Sequence, residues 1–495
     1  MFFTSTRSKC NIQSAAAIAK GLADDGGLFV PESFPAFSAS DIERMIDMDY
    51  KGRAVEVLSK YLTDFTAEEI TRCVNAAYTG KFDNEEPAPL VEVAPGMNLL
   101  ELWHGPTCAF KDMALQLLPH LLTASVAKTS NGRTTVILVA TSGDTGKAAL
   151  DGFADVEGTK IIVFYPQNGV SAMQKLQMTT QQGKNVAVCA INGNFDNAQT
   201  GVKNIFADKD MAAKLDAKAM DFSSANSINF GRLVPQIVYY VSSYCDLVKS
   251  GRLAPGKEFN VVVPTGNFGN ILAAVYAKKM GIPIKKFICA SNRNNILTDF
   301  INTGVYDRNR EFYTTTSPSM DILISSNLER LLYLLFDCDC NAVAKLMDEL
   351  KTSGKYTIPA DKLAALRQEF YGNCATDDEA GNAIKELFGK YNYLCDTHTA
   401  VAVSVYNKYL AETKDDTPCV IASTASPYKF SPAVLSALGE NTASNNEFEI
   451  VEKLSKVTST AIPTPLAGLA NKKVLHTTCV EKENMADFIC NFLNV

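Results

Sequence analysis

The chain is 495 residues long, 46% hydrophobic and 20% charged, with a formal net charge of −7. That length exceeds what one hydrophobic core fills, so two or three domains are expected of an ordinary water-soluble protein. The acidic balance, without a Lys/Arg run, gives no footprint for nucleic acid, and no apolar run approaches the roughly 20 residues of a membrane span.

Residues 1–95 read as a mainly helical N-terminal domain. MFFTSTRSKCNIQSAAAIAKGL lacks the sustained apolar stretch of a signal peptide. DDGGLFVPESFP (24–35) is a turn followed by a short apolar piece. Apolar residues recur at helical spacing over 40–62 and 66–78, and Thr66-Ala-Glu-Glu has the capping residue and early acids of a helix start. DNEEPAP (83–89), acidic and proline-containing, marks a boundary.

From 96 to 465 the rhythm changes. MNLLELW, TTVILVA (134–140), KIIVFYP (160–166), VAVCAIN (186–192), FNVVVP (259–264), KKFICAS (285–291) and CVIAS (419–423) are short apolar runs, with helical patterns such as KAALDGFADV and ILAAVYAKKMG between several of them. This alternation predicts an α/β fold of parallel sheets covered on both faces. Two lobes are expected, about 112–240 and 241–465, with a helical, charged insertion at about 327–394. The tail, 466–495, reads as one more strand and a helix. The 13 cysteines, an odd number scattered along the chain, and the four histidines suit reduced, buried thiols of a cytoplasmic protein better than a disulfide frame or a zinc site.

Three strand–loop–helix junctions stand out: TTVILVA-TSGDTG-KAAL, FNVVVP-TGNFGN-ILAAVY and CVIAS-TASPYKF-SPAVL. In a parallel sheet such junctions fall at the carboxyl edge, where ligands bind, and glycine lets the backbone approach a phosphate. Each could equally be only a turn. Thr141–Lys147 fails as a nucleotide P-loop, with Thr141 for the first glycine and Ala148 for the final hydroxyl, and Thr265–Asn270 lacks the third glycine of a dinucleotide fingerprint. SSANSINFGRLVPQ (223–236) is either a capped helix with a solvated Arg232 or an anion site with Asn226 and Ser227 as donors.

HGPTCAFKDMA (104–114) sets Lys111 at the mouth of an apolar helix. Lysine is seldom buried; held at a partly desolvated site it loses its proton more readily and becomes a nucleophile. An amine, an anion cradle and a hydroxyl at Thr424 together suit pyridoxal phosphate, which offers an aldehyde, a phosphate and a ring nitrogen.

HGPTCAFKDMALQLLPHLL closely resembles the cofactor-lysine segment of the threonine synthase family, in its longer bacterial and fungal form. LADDGGLFVPE (22–32), ATSGDTGKAA, SANSINFGR, PTGNFGN, SPSMDILISSNLERLL (317–332), DTHTAVA (396–402) and TASPYKF (424–430) follow that family's order, to about residue 470. The resemblance implies a tryptophan-synthase-β-like, fold type II pyridoxal enzyme. It implies conversion of O-phospho-L-homoserine and water to L-threonine and phosphate, by a monomer or homodimer, with no nucleic acid or membrane partner. It implies that Lys111 carries the cofactor. Gly266, Asn267, Phe268 and Gly269, with Asn270 at the rim, would hold its phosphate; Thr424 would face its ring nitrogen, and Asp144 would lie beside it. The loop from Ser142 to Thr145 would receive the substrate carboxylate. Asn226, Ser227 and Arg232 would bind the substrate phosphate.

Ser426 stands where many members of that family have histidine, which leaves no ring nitrogen there. Lys429 is expected either to support the site or to pair on the surface. His104, beside the lysine loop, could touch the cofactor but reads first as structural, His398 as a core residue or one that backs the site, Trp103 as packing and Asp112 as an acid at a helix start; SPSMDILISSNLERLL has no unique task and lines either the active-site mouth or an interface. A phospholyase of the same fold releasing 2-oxobutyrate, and a non-catalytic binding protein that inherited the fold, stay open.

Overall fold

The computed structural model describes residues 1–495 apart from 131, 142, 169 and 445. The N-terminal segment opens with β1 (Phe2–Ser5), β2 (Ile12–Gln13) and β3 (Phe29–Pro31), an antiparallel sheet in the order β2-β1-β3. Strands of two to four residues leave too little alternation to be read from sequence. The helical pattern over 40–62 is two helices, Ala39–Ile46 and Tyr50–Tyr61. The break is chemical: Asp49 caps the second helix by accepting from Gly52 N at 2.8 Å. The third helix, Ala67–Tyr78, starts in a capping box, with Glu69 N donating to Thr66 Oγ1 at 3.2 Å and Thr66 N to Glu69 Oε2 at 2.8 Å.

The seven apolar runs all form strands. A hairpin, β4 (Leu90–Ala94) and β5 (Met97–Glu101), precedes β6 (Thr134–Ala140), β7 (Thr159–Pro166), β8 (Val186–Asn192), β9 (Met220–Ser223), β10 (Phe259–Pro264) and β11 (Ile284–Ser291). After them come β12 (Val305–Asp307), β13 (Lys355–Thr357), β14 (Phe370–Cys374), β15 (Cys419–Ser423) and β16 (Cys479–Glu481). One sheet has the order β16-β8-β7-β6-β9 and is parallel throughout. The other has the order β14-β11-β10-β15-β5-β4 and is parallel except for β4. Residues 327–394 thus contribute β13 and β14 as well as helices, and the tail adds β16 and the helix Met485–Leu493 to the five-stranded sheet.

The apolar runs alternate between two cores because successive side chains leave a strand on opposite faces. Ile137 and Val139 face the large core shared with the N-terminal helices and the helix Phe230–Lys249, whereas Val136 and Leu138 face the tail helix. Val261 and Val263 join the large core, while Val262 packs towards the helices Asp377–Tyr391 and Thr397–Thr413. Two-sided burial is why these strands are apolar throughout. The junctions after β6, β10 and β15 fall at the carboxyl edges of their sheets. Among the described residues, no helix is long and apolar enough to cross a membrane.

Candidate active site

The Lys111 loop is folded by its own acid. Asp112 is fully buried and accepts from Thr107 N at 2.8 Å and Thr107 Oγ1 at 2.6 Å. It therefore closes the preceding Gly-Pro-Thr turn, a more specific task than the dipole role its position suggested, and burial pushes its carboxyl up to about 6. A side chain at Gly105 would place its Cβ 2.5 Å from Asp112 Cβ, so the turn closes only over glycine. The loop then pairs with the end of β15: Phe110 N donates to Thr424 O at 2.8 Å and Ser426 N to Cys108 O at 3.0 Å. This brings Lys111, first residue of the short helix Lys111–Leu115, to the edge where Thr424 follows the last residue of β15.

Lys111 Nζ lies 3.5 Å from Asp144 Oδ2 and 3.2 Å from Ser319 Oγ. Asp144 begins the helix after β6 and is held from two further sides, by Lys429 Nζ at 2.5 Å and Gln174 Nε2 at 2.9 Å. Burial alone would raise the Asp144 carboxyl; the Lys429 and Lys111 ammonium groups outweigh it and hold Asp144 well below the usual carboxylate range. Burial pushes the Lys111 ammonium down, with Lys429 and Arg232 adding to it and Asp144 opposing. Lys429 is buried and also donates to Thr107 O at 3.0 Å, so it supports the site and is no surface pair. Ser426 gives its oxygen to Tyr428 N at 3.3 Å, capping the turn that carries Lys429.

The loop after β10 is shaped for an anion. Phe268 has φ +65, the left-handed region, and its ring is buried, stacked 5.9 Å from Phe370. The ring anchors the turn that leads into the helix Gly269–Lys279. Gly266 is required by close approach: a Cβ there would stand 2.7 Å from Ser319 O. Asn267 O is taken by Asn327 N at 3.0 Å and Asn327 Nδ2 at 3.1 Å. Asn270, expected at the rim, is instead buried: Tyr240 OH donates to its Oδ1, and its Nδ2 has no partner among the described residues.

Arg232 is buried in the first turn of the helix Phe230–Lys249. Its Nη1 donates to Ala225 O at 2.7 Å, and its Nε has no partner among the described residues. Burial lowers its pKa to about 10. Asn226 is exposed, its Oδ1 turned to Ile228 N at 3.3 Å, and Ser227 Oγ lies 3.5 Å from Asn327 Nδ2. Thr145 is half-buried in the first turn of the helix Asp144–Phe153; Ser142 lies outside the described residues. The loop before it is pinned by Thr141 Oγ1, which accepts from Gly143 N at 3.0 Å and Gly146 N at 2.9 Å.

The two sheet edges therefore enclose one site containing Lys111, Asp144, the 265–270 loop, Thr424 and Arg232. Two ammonium groups, Lys111 and Lys429, flank the Asp144 carboxylate, and Arg232 Nε and Asn270 Nδ2, both buried, have no partner among the described residues. Such a site fits a doubly anionic phosphate ligand. Ser319, Asn327, Arg330 and His398 also belong here, and no local pattern announced their part. Their sequence signal is membership of two motifs, SPSMDILISSNLERLL, expected at the active-site mouth or an interface, and DTHTAVA, whose histidine is expected in the core or behind the site. His104, by contrast, sits away from this cluster, its Nδ1 2.6 Å from Asp83 Oδ1 and its Nε2 2.9 Å from Glu101 Oε2. Trp103 stacks on it at 4.3 Å and donates to Ser423 Oγ at 3.2 Å, a packing role.

Fold and site together are those of a pyridoxal-phosphate-dependent enzyme, and the family model of that description matches residues 88–424. Two further family models, "Threonine synthase N terminus" and "Threonine synthase, C-terminal", match residues 2–78 and 399–489. The "Threonine synthase" of Schizosaccharomyces pombe is 37% identical over 466 residues, covering 88% of this chain and 89% of that protein. The solved structure of the pyridoxal-phosphate-bound threonine synthase from Brucella melitensis superposes with a TM-score of 0.90 at 36% identity, over 100% of both chains. "Threonine synthase-like 1" of Homo sapiens is 42% identical over 432 residues, covering 85% of this chain; the chain spans 57% of that protein's length. The chain belongs to the threonine synthase family of pyridoxal-phosphate-dependent enzymes, and its cofactor is pyridoxal 5′-phosphate.

Proposed function

We propose that the protein is a threonine synthase of fold type II, converting O-phospho-L-homoserine and water to L-threonine and phosphate, the last step of threonine biosynthesis. The observation that carries this reading is Arg232, a buried guanidinium with an unspent Nε at the Lys111 site. Its charge calls for an anion that the protein itself does not supply.

Lys111 carries the cofactor through its ε-amine. The backbone amides of Gly266, Asn267, Phe268, Gly269 and Asn270, with the Asn270 side chain, would hold the cofactor phosphate, and the Thr424 hydroxyl would serve its ring nitrogen. When bound, the cofactor draws electrons from the substrate α-carbon and makes its proton acidic. Lys111 Nζ takes the proton at Cα and returns it during the sequence; burial, which lowers its proton affinity, suits a base working near neutral pH. Asp144, fixed by Lys429 and Gln174, keeps a negative charge beside that amine. Arg232, Asn226 and Ser227 hold the substrate phosphate until it leaves from Cγ, and Ser142 and Thr145 receive the substrate carboxylate. The enzyme works in the cytoplasm, in keeping with its free cysteines, as a monomer or homodimer.

Cofactor-loaded protein given O-phospho-L-homoserine should form threonine in step with phosphate. Predominant 2-oxobutyrate would move the activity to a phospholyase; neither product would overturn the reading of Arg232. Lys111→Ala should lower turnover by about 10⁴-fold or more, with the circular-dichroism spectrum unchanged.

A further inference from the structure

The Ser319 hydroxyl stands 3.2 Å from Lys111 Nζ, although 208 positions separate the two residues. Its placement is over-determined. Ser319 lies in the 3-10 turn Pro318–Met320, and its N–H donates to His398 Nε2 at 3.1 Å. A ring nitrogen that accepts a backbone N–H carries no hydrogen, so the His398 hydrogen sits on Nδ1 and goes to Asp396 Oδ2 at 2.7 Å. Asp396 is fully buried and also accepts from His398 N at 2.9 Å and Thr399 N at 3.1 Å. The far end of the turn is tied by Asp321, which accepts from Asn292 Nδ2 at 2.7 Å, Asn294 Nδ2 at 2.9 Å and Thr315 N at 2.9 Å. The turn also touches the phosphate loop, where Ser319 O fills the space a Cβ at Gly266 would need. A serine present only to shape a turn spends its hydroxyl on nearby backbone, as Ser426 does on Tyr428 N. Ser319 spends its own on the lysine.

We propose that Ser319 is a catalytic residue, whose hydroxyl accepts a hydrogen bond from the Lys111 ammonium group, and that His398 and Asp396 are positioning residues that hold it there. The proposal rests on the reading of Lys111 as the cofactor lysine. Four elements face that amine. Asp144, on the helix after β6, and Ser319 favour its charged form; Lys429, on the turn after β15, and Arg232, at the start of the helix Phe230–Lys249, disfavour it. The face of the Phe110 ring lies 5.4 Å from Nζ and also favours the cation. His398 stands behind Ser319 and reaches the amine only through it.

The test is the rate at which the apoprotein captures pyridoxal 5′-phosphate, followed by visible absorbance as pH is varied. Capture needs the neutral amine, so the rate climbs through the Lys111 pKa. Ser319→Ala, which removes one acceptor of the charged form, should lower the midpoint by about one pH unit. Ser319→Thr, which keeps the hydroxyl, should restore it. His398→Leu should lower it by about half a unit, because the hydroxyl is loosened and not removed. In turnover, Ser319→Ala should reduce kcat about tenfold with KM for the phosphorylated substrate unchanged, since the hydroxyl touches the lysine and not the phosphate. A wild-type midpoint in a folded Ser319→Ala protein would overturn the proposal. If that variant does not fold, an unmoved midpoint in His398→Leu would do the same. Failure of the wild-type apoprotein to capture the cofactor at Lys111 would overturn the lysine assignment itself, a distinct result.

Discussion

Arg232 and Arg330 are both closed off from solvent, burial lowers both guanidinium pKa values to about 10, and neither is paired with a carboxylate among the described residues. They differ in how their donors are spent. Arg330 gives Nε to Phe29 O at 2.9 Å, Nη1 to Asn327 Oδ1 at 2.5 Å and Nη2 to Ile228 O at 2.6 Å. Arg232 gives Nη1 to Ala225 O and leaves Nε without a partner among the described residues. A buried cation with a partner on each nitrogen is a strut; one with a buried nitrogen left unpartnered has room to take a ligand. The strut serves the site. It ties the N-terminal segment at Phe29 to the loop before Arg232 at Ile228, and it orients Asn327, which in turn holds Asn267 O at 3.1 Å.

The same substitution at both positions separates the two roles. Arg330→Met leaves three buried acceptors unpaired and should cost about 3–5 kcal/mol of stability in a denaturant titration. A loss below about 1 kcal/mol would show that Arg330 is no strut. Arg232→Met leaves one acceptor unpaired, so its stability should change by about 1 kcal/mol or less. Its kcat/KM for O-phospho-L-homoserine should instead fall about 100-fold, close to 2.7 kcal/mol of lost transition-state binding. Equal destabilisation of the two variants would erase the distinction drawn here.

His104 offers a third, smaller case, a ring enclosed by two carboxylates. Burial opposes its protonation, but Glu101 and Asp83 outweigh burial, and its pKa is raised from 6.5. Its folded value therefore lies above its unfolded one. The bridge contributes fully below the unfolded pKa and is lost as pH rises through the raised folded value. His104→Asn should cost about 1 kcal/mol in mildly acidic buffer and less in alkaline buffer. A cost that grows with pH would contradict this, and with it the view that buried cations here are judged by the partners they find.

Much of this site was legible because its signals are local. Glycine at 266 and 269 and the lysine in its apolar context are short patterns. The strands were readable because burial on two faces leaves runs of apolar residues that alternate with helices. The short strands β1, β2 and β3 were not, because pairing partners far along the chain, and not their own composition, decide them. Asn270 was read as rim and is buried for the same reason: burial of a polar side chain depends on what packs over it, here Tyr240.

By itself the sequence indicated the long apolar strands with helices between them, and the glycine-rich loop and apolar-flanked lysine typical of the family, since the residues of each pattern lie within a turn or two of each other. Only the tertiary structure decided that each nitrogen of Arg330 has a partner while Arg232 Nε has none among the described residues. It also decided that Lys429 neutralises Asp144, and that Ser319 reaches Lys111 across 208 residues. The physical reason is the same in each case. A buried charge or hydroxyl is defined by the partners that chain folding delivers to it, and no local pattern encodes a contact between residues so distant along the chain.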